Sequence, residues 1–141
     1  GVPIGACLAK GKASEMLTYG THGSTFGGNP LVTRVALSVL DVFENDSILD
    51  NVNKMSQYFE VQLKSKLIDC KVVKEIRIKG LMIGIELDEN SIDCSKLVKK
   101  ALDDELLINI TGNSIRMLPP LIISKEEVNI LIKKITKLIN S

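Results

Sequence analysis

The 141-residue sequence is poor in aromatic side chains and has no excess of charge of one sign. Aromatic residues make up 4% of the chain, Trp is absent, and 18 basic residues nearly balance 17 acidic ones. Nucleic-acid binding usually needs a positive field together with aromatic rings on which bases can stack. The composition therefore argues against nucleic acid as a partner.

Cysteines and long hydrophobic runs are also scarce. Cys7, Cys70 and Cys94 are far apart and form no C-x-x-C pattern, which indicates neither a disulfide framework nor a thiolate metal site and is typical of a reducing cytosol. The longest apolar runs, such as 81–87, fall far short of the about 20 residues that span a bilayer. We therefore expect a cytoplasmic, soluble protein with no membrane contact and no metal site.

The first nine residues, "GVPIGACLA", form a nearly continuous apolar run that does not begin with methionine. Such a run is typical of a strand buried on both faces, which needs a neighbouring strand on each side. Few partners for it are visible in the rest of the sequence, so we expect the chain to be the C-terminal part of a longer one. An edge strand of a self-contained domain is the alternative, although a flat apolar edge invites aggregation.

Periodicity and capping signals predict the remaining elements. A short helical turn is expected over 10–16, and a longer helix begins at Asn29-Pro30, because Asn caps helices well and Pro suits the first helical position. Ser47 is expected to cap a second helix that runs to about residue 68. The last helix follows the capping box formed by Ser124 and Glu127. Between them, "KVVKEIRIKG" and "LMIGIEL" predict a hairpin, residues 94–102 a helix, and "LLINI" and "SIRML" two short strands.

This order predicts an α/β chain with a small α+β domain, in which helices pack on one side of a small, largely antiparallel sheet from about Lys71 onward. We expect residues 1–28 to be the end of a larger domain, with the opening strand and a glycine-rich loop. Residues 29–70 would be connecting helices, and residues 71–141 the small C-terminal domain.

The stretch "HGSTFGGNPL" is the first candidate site. Its glycines let backbone N–H groups converge, Ser24 and Thr25 add hydroxyl groups, and an electropositive helix N-terminus follows, which together is how phosphate can be held without a lysine. A surface turn is the alternative, since no P-loop or dinucleotide fingerprint is present. His22 is the only histidine and Ser24 is too near it in sequence for a nucleophile, so we expect no catalytic triad here.

Arg116 in "SIRMLPPLII" is the second candidate. A buried guanidinium without a partner is very costly, so this side chain must either reach solvent or find an anion. It would then be a half-exposed strand arginine or a planar fork that binds a carboxylate through two parallel hydrogen bonds. The acidic run 103–105 is interpreted as a solvated helix end rather than a metal site.

Five segments in this order resemble the class III (ornithine-type) aminotransferases: "GVPIGACLA", "HGSTFGGNPL", "KGLMIGIEL", "LLINITGNSIRMLPPL" and the last amphipathic helix. The resemblance covers essentially the whole chain, and the fourth segment is most similar to the acetylornithine aminotransferases. Ile78 departs from the family, which usually has glycine before "KGLM". The resemblance implies the C-terminal part of a fold-type I transferase that depends on pyridoxal 5′-phosphate (PLP).

The resemblance also implies a homodimer with shared active sites. Thr25 would reach the cofactor phosphate of the other subunit, Ser24 would lie beside the substrate, and Arg116 would bind the α-carboxylate of the amino-acid and keto-acid substrates. In the family, the Schiff-base lysine lies a few residues before "GVPIGA" and the aspartate that pairs with the pyridine nitrogen lies further upstream. We therefore expect no catalytic residue in this chain and no transamination by it alone.

The reaction that the resemblance favours is transfer of the amino group of N-acetylornithine to 2-oxoglutarate in arginine biosynthesis. Ornithine, 4-aminobutyrate and succinyl-diaminopimelate remain alternative amino donors. A non-catalytic module that dimerises or binds a small anion is an alternative of a different class.

Overall fold

A computed structural model describes residues 2–25 and 27–140. The chain forms two compact units, Gly1–Ser47 and Ile48–Ser141. Within the described ranges, none of the helices has the length and apolar character needed to cross a membrane. The elements in chain order are α1 Lys12–Glu15, α2 Pro30–Asn45, α3 Ile48–Leu67, β1 Val73–Lys79, β2 Met82–Leu87, α4 Cys94–Asp103, β3 Asn109–Thr111, β4 Ser114–Met117 and α5 Lys125–Ile139.

The predicted opening strand is not formed. Residues 2–10 have no regular secondary structure and are exposed, with Leu8 retaining 93% of its accessible surface. A strand needs backbone hydrogen-bond partners on a neighbouring strand. In the described part of the chain, β1 to β4 pair only with one another, so the prediction of a buried strand over "GVPIGACLA" is wrong for this structure.

The helix predicted after the glycine-rich loop is confirmed as α2. Asn29 is its N-cap, because the Asn29 side chain accepts a hydrogen bond from the Val32 N–H at 3.2 Å, and Pro30 occupies the first helical position. Ser47, predicted to cap α3, instead has a φ of 51°. That left-handed conformation differs from the extended one of a capping residue.

Four antiparallel strands form one sheet in the order β1-β2-β4-β3. The predicted hairpin is confirmed, and Gly80 makes its turn with a φ of 57°. Ile78, which departs from the family pattern, pairs with Ile83 and packs against the core. The substitution therefore leaves the turn intact, because the positive φ falls on Gly80.

Helices α3, α4 and α5 cover one face of this sheet, as the sequence predicts. One hydrophobic cluster joins them to the sheet and includes Phe59, Leu63, Ile83, Ile85, Leu97, Ile115, Val128, Ile132 and Ile135. Because α3 buries its apolar side in this cluster, it belongs to the same unit as the sheet. The expected division at residues 28 and 70 stays a prediction.

The other face of the sheet carries polar and charged side chains. Along β1 the inward Ile76 and Ile78 alternate with Glu75, Arg77 and Lys79, which are exposed. The same alternation on the neighbouring strands follows from the period of two along a strand. We call this surface the open face of the sheet, and it is the surface on which Arg116 lies.

Candidate functional site

Arg116 lies in the middle of the sheet's open face. Its neighbours along β4, Ile115 and Met117, are buried in the core, so the alternation of a strand turns Arg116 to the opposite side. Its Cα partners are Gly84 on β2 and Asn109 on β3. Arg116 is exposed, as one of the two alternatives from the sequence anticipated.

The Arg116 guanidinium makes no hydrogen bond or ion pair with the residues that the structure describes. Its five N–H donors are therefore available to a ligand, and their fork matches the two oxygens of a carboxylate. A shallow depression of about 530 Å³ lies beside it, lined in part by Arg77, Met82, Gly84 and Ser114. The arrangement provides an unpaired cation next to open space.

Gly84 keeps the space opposite Arg116 open. A Cβ atom built on Gly84 would lie no closer than 4.0 Å to its nearest listed neighbour, the Arg77 carbonyl oxygen, so no packed side chain fills this position. A residue with a side chain would project from β2 into the space between the two flanking strands. Glycine at this point therefore leaves room for a ligand over the middle of the sheet.

Arg77 faces the same depression from β1 but is already paired. Its Nη1 donates hydrogen bonds to Glu75 and to Glu86 Oε2, the latter at 2.6 Å, and its Nη2 donates to Ser114 Oγ at 3.3 Å. The hydrogen bond from Arg77 is the main reason that the pKa of Glu86 lies below its usual value. The same interaction is the largest cause of the raised pKa of Arg77.

Sequence reasoning missed this group of charges around Arg77. The alternation in "KEIRIK" and "GIEL" places Glu75, Arg77 and Glu86 on the polar side of their strands, and this signal was present in the sequence. The partner that each charge takes depends on the strand register, which the sequence does not display. The structure supplies that register through the pairs Arg77 with Gly84 and Glu86 with Ser114.

Ser24 and Thr25 lie in the other unit, adjacent to each other in an exposed turn. The Gly27 N–H donates to the Ser24 carbonyl oxygen at 3.3 Å, and a Cβ on Gly27 would lie only 3.0 Å from the Ser24 Cβ. The turn therefore requires glycine at this position. The Thr25 hydroxyl has no hydrogen-bond partner in the described ranges, so it is available to a phosphate oxygen, and the turn fits the group predicted for it.

The remaining candidates have structural roles or no partners that suggest chemistry. Asp104, in the predicted acidic helix end, pairs with Lys137 at 2.9 Å. His22 is exposed, in keeping with its exclusion from a triad. Across residues 2–25 and 27–140, no three His, Cys, Asp or Glu side chains are grouped so as to hold a metal ion.

Comparison with known proteins gives the chain a family. The model of the class-III aminotransferases matches residues 1–139. An acetylornithine aminotransferase of Nitrosomonas europaea is 42% identical over 140 residues, which cover 99% of this chain and 35% of that protein. An acetylornithine aminotransferase of Methanocaldococcus jannaschii is 44% identical over 133 residues, 94% of this chain and 33% of that protein.

Solved structures agree with the sequence comparisons. The crystal structure of the ornithine aminotransferase from Toxoplasma gondii matches with a TM-score of 0.80 and 34% identity, over 91% of this chain and 31% of that one. The chain thus spans about a third of the length of the relatives it matches. The sheet, its covering helices and the order of the sequence segments are those of these proteins, and the chain belongs to the class-III aminotransferase family.

Proposed function

We propose that this chain forms part of an aminotransferase that moves the amino group of N-acetylornithine to 2-oxoglutarate, in the cytoplasm and in arginine biosynthesis. Class-III aminotransferases depend on PLP. The observation that carries the proposal is the unpaired, exposed guanidinium of Arg116 beside the space that Gly84 leaves open. The identity to acetylornithine aminotransferases supports the choice of amino donor.

Arg116 is the substrate-binding residue of this proposal. Its planar fork donates two parallel hydrogen bonds to the α-carboxylate, first of the amino donor and then of the keto acid, because both substrates carry that group. The same side chain therefore serves both halves of a ping-pong reaction. Fixing the carboxylate orients the amino or keto carbon, which lowers the entropic part of the barrier.

Ser24 and Thr25 are the residues assigned to the cofactor side. Within a homodimer, the Thr25 hydroxyl donates to the cofactor phosphate of the neighbouring subunit, and Ser24 lies beside the substrate. When bound, PLP supplies the electron sink that allows the amino group to be taken up and passed on. Gly27 contributes by keeping the turn that presents both hydroxyl groups.

No residue of the chain is assigned a catalytic role. The Schiff-base lysine and the aspartate for the pyridine nitrogen are placed outside residues 1–141, so the chain by itself is proposed not to transaminate. The test is to measure PLP binding and activity for the chain alone and for the complete protein. A lysine adduct with PLP and turnover by the chain alone would contradict this part of the proposal.

The test of Arg116 is Arg116→Lys in the complete protein. Lysine keeps the charge but loses the second hydrogen bond, and a hydrogen bond to a charged group contributes about 1.5 to 3 kcal/mol, so kcat/KM for both substrates should fall roughly ten- to hundredfold. Arg34→Lys, at an exposed position on α2, is the matched control. Kinetics that do not change in the Arg116 variant would remove Arg116 from the substrate site.

Ornithine is the second candidate donor, because the Toxoplasma gondii match is an ornithine aminotransferase. A panel of N-acetylornithine, ornithine, 4-aminobutyrate and succinyl-diaminopimelate, each with 2-oxoglutarate, decides between the donors. The highest kcat/KM is expected for N-acetylornithine. A complete protein that binds no PLP and transfers no amino group from any of the four would favour a non-catalytic, anion-binding module.

A further inference from the structure

Glu86 is placed so that it could pair with either of two arginines. It lies on β2, two residues beyond Gly84 on the same face of the sheet, and Gly84 is the Cα partner of both Arg77 on β1 and Arg116 on β4. Glu86 is therefore a diagonal neighbour of each arginine. Diagonal neighbours in antiparallel sheets have Cα atoms about 7 to 8 Å apart, within reach of long side chains.

The structure shows which of the two arginines Glu86 takes. Glu86 Oε2 accepts a hydrogen bond from Arg77 Nη1 at 2.6 Å, while Arg116 has no partner in the described ranges. Arg77 is held in this direction by Glu75 on its own strand and by Ser114 Oγ on β4. Three contacts thus commit Arg77 to one position and leave Glu86 with one partner.

We propose that Arg77 is a positioning residue that occupies Glu86 and thereby keeps Arg116 free to bind the substrate carboxylate. This inference rests on the proposed role of Arg116. Without Arg77, the carboxylate of Glu86 would be the nearest anion on the adjoining strand and would pair with Arg116. The internal pair would compete with the substrate for the same donors.

The size of the effect follows from this competition. When only a fraction of the protein is competent to bind, the apparent dissociation constant rises by the inverse of that fraction. Exposed ion pairs are weak, and a pair of that strength between Glu86 and Arg116 would weaken carboxylate binding about two- to sixfold. We expect the loss in KM, with kcat largely preserved, because the internal pair is broken once substrate is bound.

The experiment is a double-mutant cycle in the complete protein. Arg77→Gln should raise the KM of both substrates and the dissociation constant of glutarate, a carboxylate with no amino or keto group, measured by calorimetry. Adding Glu86→Gln should return both quantities to the values of Glu86→Gln alone. The control is Arg77→Gln with Glu75→Gln, which should give no rescue, because Glu75 lies on β1, two strands from β4.

A merely structural role of Arg77 predicts a different pattern. If Arg77 only tied the strands together, Arg77→Gln would lower the melting temperature and Glu86→Gln would add to the damage instead of repairing it. Should Arg77→Gln fail to fold, the comparison of Arg77→Lys with and without Glu86→Gln takes its place, and rescue must still be seen. Absence of rescue in a folded variant overturns the inference.

The outcomes also separate this inference from the proposed function. If Arg116→Lys leaves glutarate binding unchanged, the carboxylate role of Arg116 fails and the inference fails with it. If Arg116→Lys weakens binding but Arg77→Gln does not, the role of Arg116 stands and only the inference about Arg77 is wrong.

Discussion

Lys134 of α5 closes the C-terminal end of α4 by donating a hydrogen bond from its Nζ to the Asp104 carbonyl oxygen at 2.6 Å. The same Nζ lies 3.3 Å from the carbonyl oxygen of Glu105. The last carbonyls of a helix lack partners within the helix, and a cation there also interacts favourably with the helix dipole. The two helices are therefore joined by a polar contact as well as by the hydrophobic core.

The chain leaves α4 through a left-handed residue that is not glycine. Glu105 has a φ of 54°, its N–H donates to the Leu102 carbonyl at 3.0 Å, and the Leu106 N–H donates to the Ala101 carbonyl at 2.8 Å. These two bonds form a Schellman motif, in which glycine is the preferred residue. Glu105→Gly should therefore stabilise the chain by about 0.5 to 1 kcal/mol in urea unfolding, after the entropy cost of glycine is subtracted.

Glu105→Ala is the control for this prediction. Alanine removes the same charge but keeps the Cβ atom that makes the left-handed conformation unfavourable, so no comparable gain is expected. An equal gain in both variants would assign the effect to the Glu105 charge and would contradict the backbone explanation.

Phe59 should be the most costly side chain of α3 to truncate. It is fully buried, with 0% of its surface accessible, and belongs to the cluster that joins α3 to the sheet. Phe59→Ala removes a large apolar side chain and leaves a cavity, so the free energy of unfolding should fall by about 3 to 5 kcal/mol in urea. Val61→Ala on the same helix, where Val61 is 63% exposed, should change it little.

Thr25→Ala tests the cofactor side of the proposed site. Removal of a hydroxyl that donates to phosphate should weaken PLP retention in the complete protein, with the Schiff-base absorbance otherwise normal. Thr21→Ala is the matched control, because Thr21 lies in the same segment and its hydroxyl donates to the Thr18 carbonyl instead. Retention that is undiminished in the Thr25 variant, as measured by dialysis and absorbance, would refute the role of Thr25.

The parts of the fold that the sequence predicts are those decided by local interactions. Asn29 and Ser124 cap helices through bonds to residues three positions away, and Gly80 makes the hairpin turn within its own segment. The opening run was misjudged because a strand depends on partners elsewhere. The pairing of Arg77 with Glu86 depends on register between strands, which periodicity along one strand does not reveal.

The candidate site was predictable to the same extent. Arg116 stands out in the sequence as a charge in an apolar strand, and alternation alone predicts that it opposes the core. That Gly84 lies opposite it, and that Glu86 takes another partner, follow only from the pairing of β2 with β1 and β4. Function-related charges in this sheet are thus recognisable singly, whereas their partners are not.

The capping box of α5 predicts a particular dependence of stability on pH. Glu127 Oε2 accepts from the Ser124 N–H and from the Ser124 hydroxyl, each at 2.8 Å, and the Glu127 N–H donates to Ser124 Oγ at 3.2 Å. The pKa of Glu127 lies below its usual value, chiefly because of the hydrogen bond from the Ser124 backbone and then because of that from its side chain. The ionised form is therefore the one that the fold stabilises.

A carboxyl whose pKa is lower in the folded state contributes stability above its unfolded pKa of about 4.3 and loses that contribution as the pH falls through its folded pKa. Glu127→Gln should thus destabilise the chain near pH 7, and the difference from the parent should shrink as the solution is acidified to about pH 3. Urea unfolding at both pH values measures this. Glu126→Gln, in the same first turn but outside the capping box, should show no such narrowing from loss of the Ser124 bonds. A difference between Glu127→Gln and the parent that is equally large at both pH values would assign the role of Glu127 to packing rather than to its charge.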